Sequence, residues 1–250
     1  MSGPRVLLPE PLGAVAVIAP HPDDESIGCG GLIAQLVNAG QPVTVLLLSD
    51  GAMSHPQSLR WTRAARVRLR LAEFHAALRA LGVSAAGARA LQWPDGALPD
   101  AGTAGFDAAV AELAGCLTAL TPSTLLVPWR RDPHPDHRAA SAIARAANAG
   151  LERPVRVLEY PVWAQHRGAQ ADWPRLVEAV HWRVDIAGVV DKKLRAIAAH
   201  RSQHGTVIDD DPSGFVLPPE MLARCAQPFE TYYETYHETY CETFCESLPP

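Results

Sequence analysis

The chain has 250 residues, 48% of them hydrophobic and 20% charged, with a formal net charge of -5 at pH 7. That length suits one large α/β domain with a buried core, and the acidic balance leaves no basic surplus to neutralise a phosphate backbone, so no nucleic-acid partner is expected. No stretch approaches the roughly 18 apolar residues of a membrane span, and the opening segment is broken by Pro4, Pro9 and Pro11 with no continuous apolar run, so a cytoplasmic protein is expected.

In chain order, a first apolar run over 14–19 is followed at once by His21-Pro22-Asp23-Asp24-Glu25. Helical spacing over 30–39 ends at Gly40. A second apolar run covers 43–48 and leads into Ser49-Asp50-Gly51. Helical spacing returns over 59–81, closed by Gly82, and over 106–120, with Trp93-Pro94-Asp95 between them. A third run at 124–127 leads into the polar stretch 129–137. A helix over 138–148 then stops at Gly150, and 155–158 is a fourth run. The runs are short, rich in Val, Ile and Leu, and bounded by Pro, Gly or Asp, as strands buried on both faces are. Glycine just past a helix is a normal stop.

Strands alternating with helices predict βαβ units and a mostly parallel sheet, a Rossmann-like three-layer sandwich. Ligands of such sheets bind beyond the carboxyl ends of the strands, where the polar clusters of this chain fall. After residue 150 the pattern gives a strand over 179–184, a helix over 189–200 and a loop from Asp209 to Gly214, taken as additions to the main sheet. A single domain is expected over 1–228. Residues 229–250 carry the tetrad repeat that starts Glu230-Thr-Tyr-Tyr and Glu234-Thr-Tyr-His, and are read as a low-complexity, peripheral tail. A period of four suits a helical stripe, and the alternation suits a strand equally. His237, Cys241 and Cys245 have metal-like spacing but are not assigned a second metal site. Five cysteines without a tight CxxC pair are expected to be reduced thiols.

Three carboxylates and an imidazole crowded into His21 to Glu25 desolvate poorly and raise one another's pKa, so a divalent cation is the economical explanation. His134-Pro135-Asp136-His137 is a second cluster on another strand end, and the two together suggest one shared site. His21 and Asp24, three apart at a turn, can aim at a common point, and His137 can supply a third ligand. Two imidazoles and a carboxylate with one position open form the catalytic zinc pattern. The same donors suit ferrous iron. Asp23 and His134 remain as spare acid-base groups, which hydrolysis uses and oxygen activation does not require. Gly28, Gly30 and Gly31 do not complete a dinucleotide fingerprint, and are expected to bring the first helix close to the sheet. His55, His75, His166 and His181 are read as ordinary packed or solvated histidines.

The run Ala19-Pro20-His21-Pro22-Asp23-Asp24-Glu25 with Gly28-Cys29-Gly30-Gly31, then Ser49-Asp50-Gly51, Arg70 to Glu73 before Leu81-Gly82, and Pro133-His134-Pro135-Asp136-His137, resembles the LmbE-like, or PIG-L, N-acetylglucosamine deacetylases. The similarity extends to Ala199-His200-Arg201-Ser202-Gln203 and 215–218. It implies a Rossmann-like fold, a zinc ion, and hydrolysis of an N-acetyl group from an N-acetylglucosaminyl conjugate or related amide. Carried over by position, the metal ligands would be His21, Asp24 and His137, the general base Asp23, and the oxyanion or acid partner His134. Asp136 would orient His134 or a ligand. Arg70, one of Arg130 or Arg131, and Asp50 are candidates for contacts to the sugar or an anionic substituent. Some members carry a tyrosine shortly before the second histidine motif. Here 129–133 reads Trp-Arg-Arg-Asp-Pro, leaving the task to His134 with an arginine or to a distant tyrosine such as Tyr160. A ferrous oxygenase and a non-catalytic metal-dependent sugar- or nucleotide-binding module stand as the alternatives. The expected partner is a small amino sugar, with homo-oligomerisation left open.

Overall fold

The computed structural model describes residues 5–6, 12–164, 173 and 178–235. Eight strands form one sheet: β1 (Arg5–Val6), β2 (Val15–Ala19), β3 (Val43–Ser49), β4 (Ala88–Trp93), β5 (Thr124–Pro128), β6 (Arg156–Tyr160), β7 (Ala179–Asp185) and β8 (Phe229–Thr235), in the order β1-β7-β8-β6-β5-β2-β3-β4. All neighbours are parallel except β8, which runs antiparallel to both β6 and β7. The helices are α1 (Asp24–Asn38), α2 (Arg63–Leu81), α3 (Phe106–Leu120), α4 (Pro135–Ala149), α5 (Val190–Ala199) and α6 (Pro219–Cys225).

Both faces of the sheet are covered, as the continuous apolar runs require. Val15, Val17 and Ala19 of β2 pack into one cluster with side chains of α1, α2, α5 and α6, whereas Ala16 and Ile18 pack into a second with side chains of α3 and α4. The period of two along β2 thus divides the core into two slabs. This is the expected three-layer sandwich. None of the described helices is long and apolar enough to cross a membrane.

Strand order positions the site. The chain leaves β2 through α1 to reach β3 on one side, while β5 lies against β2 on the other. The connections diverge between β2 and β5, opening the crevice at which doubly wound sheets bind ligands. His21 to Asp24 leave the end of β2, and Asp132 to His137 leave the end of β5.

Three elements differ from the expectation. The first helix starts at Asp24 rather than residue 30, so Gly28, Gly30 and Gly31 lie inside it. Asp24 and Glu25 suit the positive end of a helix, and the glycines serve close approach. A Cβ at Gly28 would fall 2.2 Å from the Tyr160 ring, and one at Gly31 2.6 Å from Ile186. Residues 88–93 form an edge strand whose partly exposed, weakly alternating side chains gave no clear apolar run.

The third difference lies at the supposed tail, whose first seven residues, 229–235, form β8 in the interior of the sheet. The strand alternation prevails because its side chains have partners on both faces. Glu230 and Tyr232 face α1, where the Glu230 carboxylate accepts from the N–H groups of Gly31 (2.8 Å) and Leu32 (2.9 Å) and from Lys193 Nζ (2.7 Å). Tyr233 packs against Trp129 and His181 on the other face. His166, His237, Cys241 and Cys245 lie outside the described residues.

Candidate metal centre

The turn after β2 is drawn tight around Asp23, which sits at φ 137°, a backbone conformation costly for a residue with a side chain. Two groups hold it there. Its carbonyl accepts the first bonds of α1 from Ser26 and Ile27, both at 2.9 Å, and its N–H donates to Glu25 Oε2 at 3.1 Å. Glu25 is itself fully buried and gripped through Oε1 by Ser26 Oγ (2.7 Å) and His200 Nε2 (3.1 Å). Glu25 therefore braces the turn from within.

This bend turns His21 and Asp24 toward His137 on the first turn of α4. His21 Nδ1 lies 3.1 Å from Asp24 Oδ2, His137 Nε2 lies 3.2 Å from the same oxygen, and the two nitrogens are 3.3 Å apart. Donors around a tetrahedral zinc at about 2.0–2.1 Å stand about 3.3–3.4 Å from one another, so the three atoms already have the spacing of one face of such a shell. Two other triads share the cluster, His21 with His134 and His137, and His21 with Asp95 and Asp136, each with donor atoms within 4.8 Å. The donor chemistry and the near-equal edges would let His21, Asp24 and His137 hold a divalent ion.

Each imidazole is backed on its other nitrogen by carboxylate. His21 Nε2 faces Asp136 Oδ2 at 3.1 Å and Asp95 Oδ1 at 3.3 Å, and His137 Nδ1 lies 3.2 Å from Asp132 Oδ1. Such partners fix the tautomer and raise the basicity of a ligating histidine. Burial opposes charge on His137, but Asp24 and Asp132 outweigh it and hold its pKa at about 9. Burial likewise opposes charge on His21, and Asp136, Asp24 and Asp95 carry its pKa well above the usual value. Asp24 is lowered, because the two histidines overcome the cost of its burial.

Asp23 and His134 flank the triad. Burial raises the Asp23 carboxyl to about 6, against the opposing charge of Arg70. Arg70 Nη2 donates to Asp23 Oδ2 at 3.0 Å and also to the Pro22 carbonyl, while Nη1 lies 3.6 Å from Glu73. His134 caps α4, its Nδ1 accepting from the Asp136 N–H at 3.2 Å. That bond leaves the ring proton of a neutral His134 on Nε2. Burial, then the neighbouring His137 and His21, push its pKa down to about 4, so the neutral form prevails near pH 7.

The structure therefore gathers His21, Asp23, Asp24, His134, Asp136 and His137, and it redistributes the remaining candidates. The Asp136 side chain serves His21 and the N–H groups of Gly96 (2.8 Å) and Leu98 (3.3 Å), and reaches His134 only through its backbone. Arg70 is buried against Asp23. Asp50 accepts from Ala52 N–H and from Arg63, shaping the loop after β3. Arg130 and Arg131 both lie over the Trp129 ring, at 4.8 and 4.9 Å, and pair with Glu159 and Glu178. The Tyr160 hydroxyl donates to the Ile18 carbonyl at 2.6 Å, which commits it away from the triad. Sequence reasoning passed over Asp95 and Asp132, although both stand in strand-end runs beside the histidines they support. Glu73 and Ser202 stand behind Arg70, bonded to each other at 2.6 Å from the Ser202 hydroxyl to the Glu73 carboxylate, and their pairing gave no local signal because 129 residues separate them.

Comparison with known proteins agrees with this geometry. Residues 16–148 match the PIG-L family, described as GlcNAc-PI de-N-acetylase. The chain is 32% identical over 195 residues to the diacetylchitobiose deacetylase of Thermococcus kodakarensis, covering 76% of this chain and 69% of that one. It is 28% identical over 200 residues to a protein of Bacillus cereus named as a probable N-acetyl-alpha-D-glucosaminyl L-malate deacetylase 2, covering 78% and 86% respectively. Among solved structures, a conserved protein from Thermus thermophilus superposes with a TM-score of 0.65 at 26% identity, covering 89% of this chain and 94% of that one. The matched span contains β2 through α4 and both histidine clusters, and the chain belongs to the PIG-L family.

Proposed function

We propose that the protein is a zinc-dependent amide hydrolase that removes the N-acetyl group from an N-acetylglucosaminyl conjugate. The observation that carries this reading is the triangle of His21 Nδ1, Asp24 Oδ2 and His137 Nε2, with edges of 3.1 to 3.3 Å, beside an uncoordinated carboxyl at Asp23. A zinc ion held by these three residues supplies Lewis acidity to water and to the amide carbonyl.

The chain's own groups then divide the proton work. Asp23, poised near 6 and held by Arg70, takes a proton from the attacking water. The water oxygen joins the acetyl carbon, the carbon–nitrogen bond breaks, acetate leaves, and the proton passes to the departing nitrogen to give the free amine. His134, neutral with its proton on Nε2, donates a hydrogen bond to the carbonyl oxygen as negative charge grows there. This assigns to His134 the task that a tyrosine performs in some family members. Asp136, Asp95 and Asp132 act on the histidines and not on substrate.

The ferrous oxygenase and the binding module are poorer readings, since neither uses Asp23 and His134, and the relatives are named as deacetylases. The substrate is a small amino-sugar conjugate. A reducing cytoplasm suits Cys29, Cys116 and Cys225, which are free thiols. Acetate and primary-amine release from a panel of N-acetylglucosaminyl conjugates, measured with metal-stripped and zinc-reloaded protein, tests the reading. Release with zinc and loss without it is the expected result. Silence from every conjugate with zinc bound would overturn it.

A further inference from the structure

Resting on the amide-hydrolase reading, we propose that His200 and Ser202 are positioning residues for Asp23. One turn of chain, starting 175 residues after Glu25, holds the backbone of the general base through one side chain and its carboxylate through the other. His200 closes α5 and opens the short helical turn Arg201–His204. Both side chains are fully buried, and each acts through a glutamate, His200 through Glu25 and Ser202 through Glu73. Those glutamates belong to α1 and α2, and α5 lies against both helices.

The first path ends on the Asp23 peptide. At φ 137° that residue occupies a conformation its surroundings must impose. Its N–H donates to Glu25 Oε2 at 3.1 Å, and His200 Nε2 donates to Glu25 Oε1 at 3.1 Å. An ionised carboxylate only accepts, so this bond puts the ring proton on Nε2. Nδ1 has no partner among the described residues, and the bond to Glu25 is what the ring offers the fold. As a source of stability the pair is a poor choice, because an apolar side chain would fill the space without desolvating an imidazole and a carboxylate. As a brace on a strained peptide it is well placed.

The second path ends on the Asp23 carboxylate. Ser202 donates to both oxygens of Glu73, from N–H to Oε1 at 2.7 Å and from Oγ to Oε2 at 2.6 Å. Arg70 Nη1 lies 3.6 Å from that Oε2 and 3.4 Å from Ser202 Oγ, while Nη2 donates to Asp23 Oδ2 at 3.0 Å. Gln203 Nε2 donates to Ser202 Oγ at 2.9 Å and completes the hydroxyl's surroundings. The turn is itself fixed, with Gln203 N–H on the His200 carbonyl at 2.9 Å and Leu217 N–H on the Gln203 carbonyl at 2.8 Å. Two holds on one residue, at its N–H and at its carboxylate, set both the place and the angle of the base. A displacement of about 1 Å in such a group costs about a hundredfold in rate, even when its cause lies outside the site.

The test compares His200→Leu, His200→Gln, Ser202→Ala and Arg201→Ala with the parent chain, the last changing an exposed side chain of the same turn. Acetate release from diacetylchitobiose and from p-nitrophenyl N-acetylglucosaminide is measured per bound zinc, so that unfolded chains do not count. His200→Leu and Ser202→Ala are expected to lose about tenfold to a hundredfold in kcat, with KM within about twofold and one zinc per chain. His200→Gln, whose amide Nε2 can reach Glu25, is expected to return to within about threefold of the parent, and Arg201→Ala to match it. In the metal-free protein, amide exchange at Asp23 should quicken in His200→Leu and stay slow in His200→Gln. Equal losses in the Leu and Gln variants, or an unchanged kcat in both His200→Leu and Ser202→Ala, overturn the proposal and leave the hydrolase reading intact. If His200→Leu fails to fold, His200→Asn, too short to reach Glu25, takes its place with the same expectations. If no acetate appears even from the parent, the hydrolase reading fails and exchange at Asp23 decides the positioning. Faster exchange without the donor at residue 200 upholds it, and equal exchange overturns it.

Discussion

Asp132 Oδ1 stands 3.2 Å from His137 Nδ1, the ring nitrogen opposite the one that faces His21 and Asp24. The same oxygen accepts from His134 N–H at 3.1 Å, and Oδ2 accepts from the N–H groups of Val162 (3.3 Å), Trp163 (2.8 Å) and Ala164 (3.2 Å). One buried carboxylate thus orients a proposed metal ligand, the start of α4 and the loop after β6.

Asp132→Asn keeps the shape but removes the charge, and an amide can present N–H where His137 needs an acceptor. Zinc affinity is expected to fall about 10- to 100-fold, as for other carboxylates behind ligating histidines. Competition against a chromogenic chelator checks this. Unchanged affinity in a folded variant would mean that Asp132 serves the loop alone.

Asp23→Asn is expected to abolish turnover while leaving one zinc per chain, because the Asp23 side chain is engaged by Arg70 and not by the histidines. Metal analysis beside an acetate assay separates the two effects. Parallel loss of zinc and activity would place Asp23 in the metal shell. His137→Ala should lose the metal instead.

Arg70→Met addresses the other half of that pair. The guanidinium is buried among Asp23, Glu73 and the Pro22 carbonyl, and removing it leaves two buried carboxylates without their cation. Breaking a buried pair in this way costs about 3–5 kcal/mol. A urea midpoint within error of the parent protein would contradict the assignment, and would return Arg70 to the candidates for substrate contact.

Metal uptake is expected to release protons. In the metal-free protein Asp24 and Asp132 hold the His137 pKa at about 9, and the carboxylates around His21 raise its pKa as well, so binding a metal at these rings displaces protons. Asp24, held low, contributes none. Affinity therefore weakens as pH falls below about 9, by about tenfold per unit for the His137 proton. Zinc titration calorimetry in buffers of different ionisation enthalpy counts the protons. At least one at pH 7 is the expectation, and a count of zero would show that the apo rings are neutral.

The parts of this molecule legible in the sequence were those carried by local runs. The strands β2, β3, β5 and β6 announced themselves as apolar stretches ending in Pro, Gly or Asp, and the two histidine clusters lay at their ends. What was hidden depended on partners distant in sequence. Glu230 looked like one tooth of a repeat until the N–H groups of Gly31 and Leu32, about 200 residues earlier, supplied its reason. Arg70 resembled a substrate contact because its spacing shows only that it faces inward, and nothing local reveals that Asp23 is waiting there. Arg130 and Arg131 stand beside the histidines in sequence, yet Trp129 and two glutamates from other segments draw them away.

Lys193 and Glu230 give the last expectation, one that separates a peripheral tail from a structural strand. Both are buried, Nζ lies 2.7 Å from Oε1, and the remaining Glu230 oxygen accepts from Leu32 N–H and from Tyr232 Oη at 2.8 Å. Burial works against the Lys193 charge, but Glu230 overcomes it and raises the pKa above its ordinary value of 10.5. A raised lysine stabilises the fold fully below its unfolded pKa, and that contribution is lost as pH rises through the folded pKa. The urea midpoint should therefore fall above about pH 10.5, and Glu230→Gln should flatten this part of the profile. The same variant leaves a buried ammonium without its counter-ion, at a cost of about 3–5 kcal/mol near neutrality. Ending the chain at residue 228 should be more severe, because β8 lies between β6 and β7 in the sheet order. A 228-residue chain that melts at the temperature of the full protein would restore the tail reading.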